Sequence, residues 1–310
     1  MNRSDITVGL ASRLVAEQFP RWRQLPVTRV KRNGWDNTTF RLGSELLVRL
    51  PSADVYSAHV DKEQRWLPTL ASELPLPIPE PVAKGRPSPT FPRPWSIYRW
   101  LTGDPSTADR ITDLASFAHD LATFLVALQR VDPMDGPPPG EHNFFRGGAL
   151  AIYDPETVQA IRGLSGEIDV TAVSEVWQAA LAATWHGAPV WVHGDMAPSN
   201  LLVIDGRLSA IIDFGCCAIG DPACDLVIAW TFFFGESRKV FRSALRLDEA
   251  TWARARGWAL WKALVTLAKE TRMDRNEATS ATRWGWRVTA KELVDELIAD
   301  HDQRPPTEGS

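Results

Sequence analysis

HGDMAPSN, residues 193–200, and IIDFG, residues 211–215, are the two stretches on which the reading of this chain turns. Between them lies NLLVIDGRLSAI, in which two apolar runs flank Asp205-Gly206. An Asp-Gly pair between two such runs is a hairpin signal, because both central residues of the turn need positive φ. The spacing therefore predicts a loop feeding strand, turn and strand, with the far end of the hairpin returning Asp213 beside the loop that carries Asp195 and Asn200. Asn200 and Asp213 would then present hard oxygen ligands to one divalent cation, of the kind that suits Mg2+ held by few protein groups and by substrate phosphates. Asp195 would stand close by, able to orient a hydroxyl and take its proton. His193, at a strand-to-loop corner, reads as a residue that holds backbone in place.

The remainder of the chain divides by pattern. Residues 4–19 have helical periodicity, with Ser4 or Asp5 as the N-cap and Pro20 as the stop. Strand-like runs follow at 26–33, 37–43 and 45–51, joined by GWD and by a tight turn at Gly43-Ser44, which predicts an antiparallel meander. Residues 55–74 read as a helix, the proline-dense LPLPIPEPV (74–82) as an extended connector, and WSIYRWL (95–101) as a further strand. Beyond Gly103 the periodicity turns helical: 111–131, 155–163, 170–184 and 247–270 are helix candidates, and DPACDLVIAWTFFF reads as buried helix. The 14 tryptophans are read as core.

Composition sets outer limits. The 310 residues, 44% of them hydrophobic, suffice for one large domain or two lobes. Residues 1–102 hold 15 Lys and Arg against 9 Asp and Glu, and the remaining 208 hold 19 against 29, so a basic part of charge +6 precedes an acidic part of charge −10. That asymmetry suggests a site between the two. The basic residues do not cluster in runs, so no nucleic-acid partner is expected. Neither a signal peptide nor a membrane span is legible, and a cytoplasmic protein is expected. Cys216, Cys217 and Cys224 lack the paired spacing of a structural zinc site and are read as reduced thiols.

H-x-D-x-x-x-x-N followed by D-F-G is also the spacing of the protein-kinase catalytic loop and metal-binding segment, here with Gly in place of Arg after the His. HGDMAPSN, IIDFG and GDPACDL (220–226), in that order, resemble the aminoglycoside phosphotransferase and choline kinase family of small-molecule kinases. The resemblance implies an α+β, two-lobed protein-kinase-like fold: a small antiparallel β-sheet N-lobe with one packed helix, residues 1–102, and a larger, mainly helical C-lobe, residues 103–302, with 303–310 as a flexible tail. It implies Asp195 as catalytic base, Asn200 and Asp213 as magnesium ligands, and Asp225 as a brace for the catalytic loop; a helix N-cap is the plain alternative for Asp225. Arg49 in ELLVRLP and Glu63 in VDKEQRWL match the phosphate-holding cation and its helix partner, although family members commonly carry Lys there; the alternative is a surface ion pair. The Arg99 carbonyl and the Leu101 N–H would meet the adenine base.

Other departures are the single Gly34 where a glycine-rich loop would lie, and Gln129 where such kinases often have His. The function so implied is transfer of a phosphoryl group from ATP, with GTP not excluded, and with Mg2+, to a hydroxyl of a small molecule such as an aminoglycoside, a macrolide or another small metabolite. The acceptor pocket would draw on residues 141–190 and 230–275. Three rivals bear different chemistry. A protein kinase needs a peptide-binding segment, and twelve residues from Asp213 to Asp225 leave no room for one. An inactive nucleotide-binding module would be expected to have lost one of Asp195, Asn200 and Asp213. A metal hydrolase would call for a richer cluster than the six histidines provide.

Overall fold

Strand pairing at the N-terminal end follows from alternation of apolar and polar residues. The computed structural model describes residues 3–31, 34, 36–272 and 285–303. Strands β1 (Val27–Arg29), β2 (Asn37–Leu42), β3 (Leu46–Pro51), β4 (Pro81–Gly85) and β5 (Trp95–Arg99) form one antiparallel sheet in the order β1-β2-β3-β5-β4. Gly43, with φ of 62°, makes the tight turn between β2 and β3. In β3 the residues Leu46, Val48 and Leu50 point to one face and pack with Phe40, Leu42, Trp95 and Ile97 against Leu10 and Leu14 of helix α1 (Val8–Gln18). The period of two therefore sends Arg49 to the opposite face. There it meets helix α2 (Ser57–Glu73), whose Glu63 is buried. Thr7, not Ser4 or Asp5, caps α1: its side chain accepts from the Leu10 N–H at 3.2 Å.

The helical part is built from α3 (Leu114–Arg130), α4 (Asp154–Gly163), α5 (Val170–Ala182), α6 (Ile228–Thr231), α7 (Gly235–Leu245), α8 (Glu249–Arg272) and α9 (Ala290–Asp302). Its core joins Phe117, Leu121 and Leu125 of α3 to Trp177 of α5, Trp258 and Leu264 of α8 and Leu293 and Leu297 of α9, and it continues through Trp66, Leu67 and Leu70 of α2. Fully buried tryptophans at 95, 177, 191, 230 and 258 agree with the reading of that residue type as core. Two small antiparallel sheets sit at the edge of this core: β7 (Val190–Val192) with β10 (Ala218–Gly220), and β6 (Asp104–Pro105), β8 (Leu201–Ile204) and β9 (Arg207–Ile211) in the order β6-β8-β9. Asp205 and Gly206 adopt φ of 50° and 78°, as the hairpin between β8 and β9 requires. The tail beyond Gln303, expected to be flexible, lies outside the described residues.

Two expectations need local correction. The connector at 74–82 ends in a strand: Pro81 opens β4, which is an edge strand, where a missing N–H costs no ladder bond. Asp221 rather than Asp225 caps the turn at Pro222–Val227, accepting from the Ala223 N–H at 3.1 Å. The departure at Gln129 has a physical consequence, since its Nε2 is buried without a hydrogen-bond partner among the described residues. Gln129→Met should therefore stabilise the chain by about 1 kcal/mol and raise its melting midpoint by about 1–3 °C. A lower midpoint in a calorimetric scan would mean that the amide has a partner in solution.

Candidate active site

Strand β7 delivers the chain to His193 and Gly194, and their two N–H groups point inward where helix or sheet partners are lacking. The carboxylate of Asp225, 1% exposed, accepts both: His193 N to Oδ2 and Gly194 N to Oδ1, each at 2.7 Å. Burial pushes the Asp225 carboxyl up, against the pull of these bonds. Gly194 has φ of 82°, and a Cβ there would collide with the Cys216 carbonyl, so no other residue fits the corner. The Asp195 N–H donates to His193 Nδ1 at 3.2 Å, which leaves Nε2 as the protonated nitrogen, donating to the Ile212 carbonyl at 3.0 Å. His193 thus ties the loop to the segment before Asp213 and is positioned as a backbone clamp. Replacing Asp225 by Ala orphans two buried N–H groups, at about 1–3 kcal/mol of desolvation each. A melting midpoint lowered by several degrees is the expected result in a thermal scan, and an unchanged midpoint would remove the bracing role.

The hairpin brings the metal-ligand candidates together. Ile212 N donates to the Asn200 carbonyl at 2.8 Å, which sets Asp213 one residue beyond the contact. The Asn200 side-chain Nδ2 donates to the Asp195 carbonyl at 2.9 Å and to Asp195 Oδ2 at 3.2 Å. Asn200 Oδ1 is left without a hydrogen bond among the described residues. Asp213 adopts the left-handed conformation, φ of 70°, which turns its carboxylate toward Arg49, and Arg49 Nη2 donates to its Oδ1 at 2.7 Å. Its Oδ2 is likewise unbonded among the described residues. One amide oxygen and one carboxylate oxygen are therefore available to a cation, a donor set that suits Mg2+ with water and phosphate completing the shell. Among the described residues no group of three or more His, Cys, Asp and Glu could hold a metal.

Arg49 also donates through Nη1 to Glu63 Oε1 at 3.3 Å, and the Tyr98 hydroxyl donates to Glu63 Oε2. The Arg49 and Glu63 side chains are 13% and 4% exposed, so a surface ion pair is the wrong description. Breaking a pair this buried leaves an uncompensated charge. Glu63 acts by holding Arg49, and Arg49 by reaching Asp213. Gly34 lies over this network: a Cβ there would stand 4.0 Å from Asp213 Oδ2. Asp36, two residues further along the chain, was not singled out by the sequence. Its carboxyl is pushed up to about 7, chiefly by burial and then by the charge of Asp213. Arg99 and Leu101 join none of these bonds. The Arg99 guanidinium pairs with Glu80 at 3.1 Å and its N–H donates to the Glu80 carbonyl at 3.0 Å, so any contact with a base would fall to its carbonyl. The Leu101 N–H donates to no backbone carbonyl among the described residues.

On the far side of Asp195 two cations appear that spacing could not find. Lys262 of α8 places Nζ 3.4 Å from Asp195 Oδ1. Arg146, in the loop between α3 and α4, stacks 4.6 Å from the ring centre of Trp261 and 5.2 Å from that of Trp258. Burial pushes the Asp195 carboxyl up, but Lys262 and Arg146 outweigh it and hold the group below the usual carboxylate range. It is a carboxylate at neutral pH, the form a proton acceptor needs.

Residues 27–258 match the model of a family described as the phosphotransferase enzyme family. In fold the chain is similar to the GDP complex of aminoglycoside 2'-phosphotransferase-IIIa, with a TM-score of 0.68 and 18% identity over 95% of this chain and 99% of that one. It is similar to the streptomycin-ATP-APH(2")-IIa ternary complex, with a TM-score of 0.58 and 17% identity over 90% and 97%. Macrolide 2'-phosphotransferase MphH from Brachybacterium faecium gives 0.57 and 22% over 97% and 99%. No curated protein matches. The fold is the kinase-like one expected from HGDMAPSN and IIDFG.

Proposed function

Because the chain belongs to the phosphotransferase enzyme family, we propose that it moves the γ-phosphoryl group of ATP to a hydroxyl of a small molecule, with Mg2+ held by Asn200 and Asp213. The nucleotide lies between an N-terminal lobe of residues 1–102 and a helical lobe of residues 103–302, its base against the backbone of Arg99 and Leu101 and its phosphates toward Arg49. The observation that carries the reading is one continuous network: Glu63 holds Arg49, Arg49 holds Asp213, and Asn200, beside Asp213, is bonded to Asp195. Such a network supports the reading of a cation site, a phosphate-binding guanidinium and a proton-accepting carboxylate side by side.

In the transfer, the acceptor oxygen forms a bond to the γ-phosphorus while the bond to the β,γ-bridging oxygen breaks and its electron pair leaves with ADP. The hydroxyl proton passes to an Asp195 carboxylate oxygen. When bound, Mg2+ neutralises phosphate charge. Arg49, always charged, can grip two phosphate oxygens at once. Most of the rate gain would come from positioning and from charge neutralisation.

Solved structures of similar fold hold GDP, ATP, kanamycin or streptomycin, and one is a macrolide 2'-phosphotransferase, so both nucleotides and both antibiotic classes belong in the first screen. The acid excess of residues 103–310 suits a cationic, aminoglycoside-like acceptor, whereas Arg146 and Lys262 beside Asp195 do not. The test is a mass-spectrometric search for the gain of one phosphoryl group across aminoglycosides, macrolides, amino alcohols and hydroxy acids, with Mg-ATP or Mg-GTP. One product formed per nucleotide consumed is expected. Tight nucleotide binding without transfer to any acceptor would point instead to an inert nucleotide-binding module.

A further inference from the structure

The small cavity on the acceptor side of Asp195 is lined by Arg146, Met196, Trp258, Trp261 and Lys262. Among the described residues Asp195 is the one carboxylate in this lining, and it is engaged by Lys262 at 3.4 Å. The Arg146 guanidinium makes no ion pair among the described residues. It is held flat among the rings of Trp261, Trp258 and Tyr153, whose centres lie 4.6, 5.2 and 5.8 Å away. Its loop is fixed as well, since Asn143 Nδ2 donates to the Arg146 carbonyl at 2.8 Å and to the Cys216 carbonyl at 3.2 Å. Among the described residues of this lining, Arg146 and Lys262 thus stand beside a single carboxylate, in a place where charge interactions are stronger than in water. An ammonium-bearing acceptor brought to Asp195 would meet both cations at close range. An anion would meet a guanidinium able to bond it bidentately and a lysine able to serve it and Asp195 together.

We propose that the acceptor is an anionic hydroxyl compound, its carboxylate or phosphate held between Arg146 and Lys262. This inference rests on the phosphotransferase reading for the orientation of the hydroxyl toward Asp195, but the anion site can be tested without any transfer. Isothermal titration of the full chain, with ADP and Mg2+ present, would compare gluconate, glycerol 3-phosphate, glucose and kanamycin. Gluconate or glycerol 3-phosphate should bind at least about tenfold more tightly than glucose, and whichever acid binds better tells carboxylate from phosphate. Arg146→Gln and Lys262→Gln should each weaken that acid by about 10- to 100-fold, the worth of a hydrogen bond to a charged group. Arg146→Lys, which keeps the charge and loses the planar fork, should fall between the parent chain and Arg146→Gln.

The proposal is overturned if neither acid binds better than glucose, if kanamycin binds more tightly than both acids, or if Arg146→Lys loses as much as Arg146→Gln. An acid that binds yet takes no phosphoryl group from Mg-ATP or Mg-GTP counts against the phosphotransferase reading and leaves the anion site standing. Phosphorylation of kanamycin, with its tighter binding, would do the reverse.

Discussion

Asp195→Asn is expected to lower turnover by about 10²- to 10⁴-fold, the range of a general base, while nucleotide affinity stays nearly constant. The substitution keeps the shape of the side chain. It can preserve one of two contacts, that of Asn200 Nδ2 to Oδ2 at 3.2 Å or that of Lys262 Nζ to Oδ1 at 3.4 Å, because an amide has a single oxygen to accept with. What it removes is the ability to take a proton as the bond to phosphorus forms. The loss should therefore fall on kcat, with little change in the Kd for ATP measured by titration. A collapse of nucleotide binding in the same variant would show that Asp195 serves the phosphate side of the cleft, and the assignment of its role would then be wrong.

Much of this network could be read from sequence because its members are close in the chain or fixed by a period. Asn200 follows Asp195 by five residues, and the Asp-Gly turn returns Asp213 to them, so a hairpin signal alone brings three groups together. Arg49 follows from strand alternation, and Glu63 from its place on the packed face of α2. Where the reading fell short, long-range packing decides the outcome. Lys262 comes from 67 residues beyond Asp195 on a helix buried on most of its surface, which carries no amphipathic signature to say which way a lysine points. Arg146 lies in a loop that composition describes only as irregular, and its place is set by three aromatic rings drawn from a short turn and from α8. Strands β7 and β10, of three residues each, are too short for a period of two to show.

The charge at the acceptor site was missed for the same reason. A sum over residues 103–310 weighs every charged group alike wherever it lies, whereas the cavity beside Asp195 is lined by Arg146 and Lys262. Net charge speaks to long-range attraction, whereas selection in a cleft depends on the few groups that remain within reach of the ligand.

Asp213→Ala should weaken Mg-ATP by at least about a hundredfold, since changing even an outer partner of a metal ligand costs about 10- to 100-fold in affinity. The same change removes the acceptor of the Arg49 Nη2 bond at 2.7 Å, so Arg49 keeps Glu63 as its only carboxylate partner among the described residues. Binding of free ATP without metal then gives a contrast. With the competing carboxylate gone, the guanidinium should hold bare phosphate as well as or better than it does in the parent chain, while the gain in affinity on adding Mg2+ should largely vanish. Affinity for the acceptor should change little, because Asp213 does not line the cavity that holds Lys262 and Arg146. Titrations of ATP with and without Mg2+, and of the acceptor, separate these outcomes. Equal loss of nucleotide and acceptor would contradict metal ligation by Asp213 and would place its carboxylate in the scaffold instead.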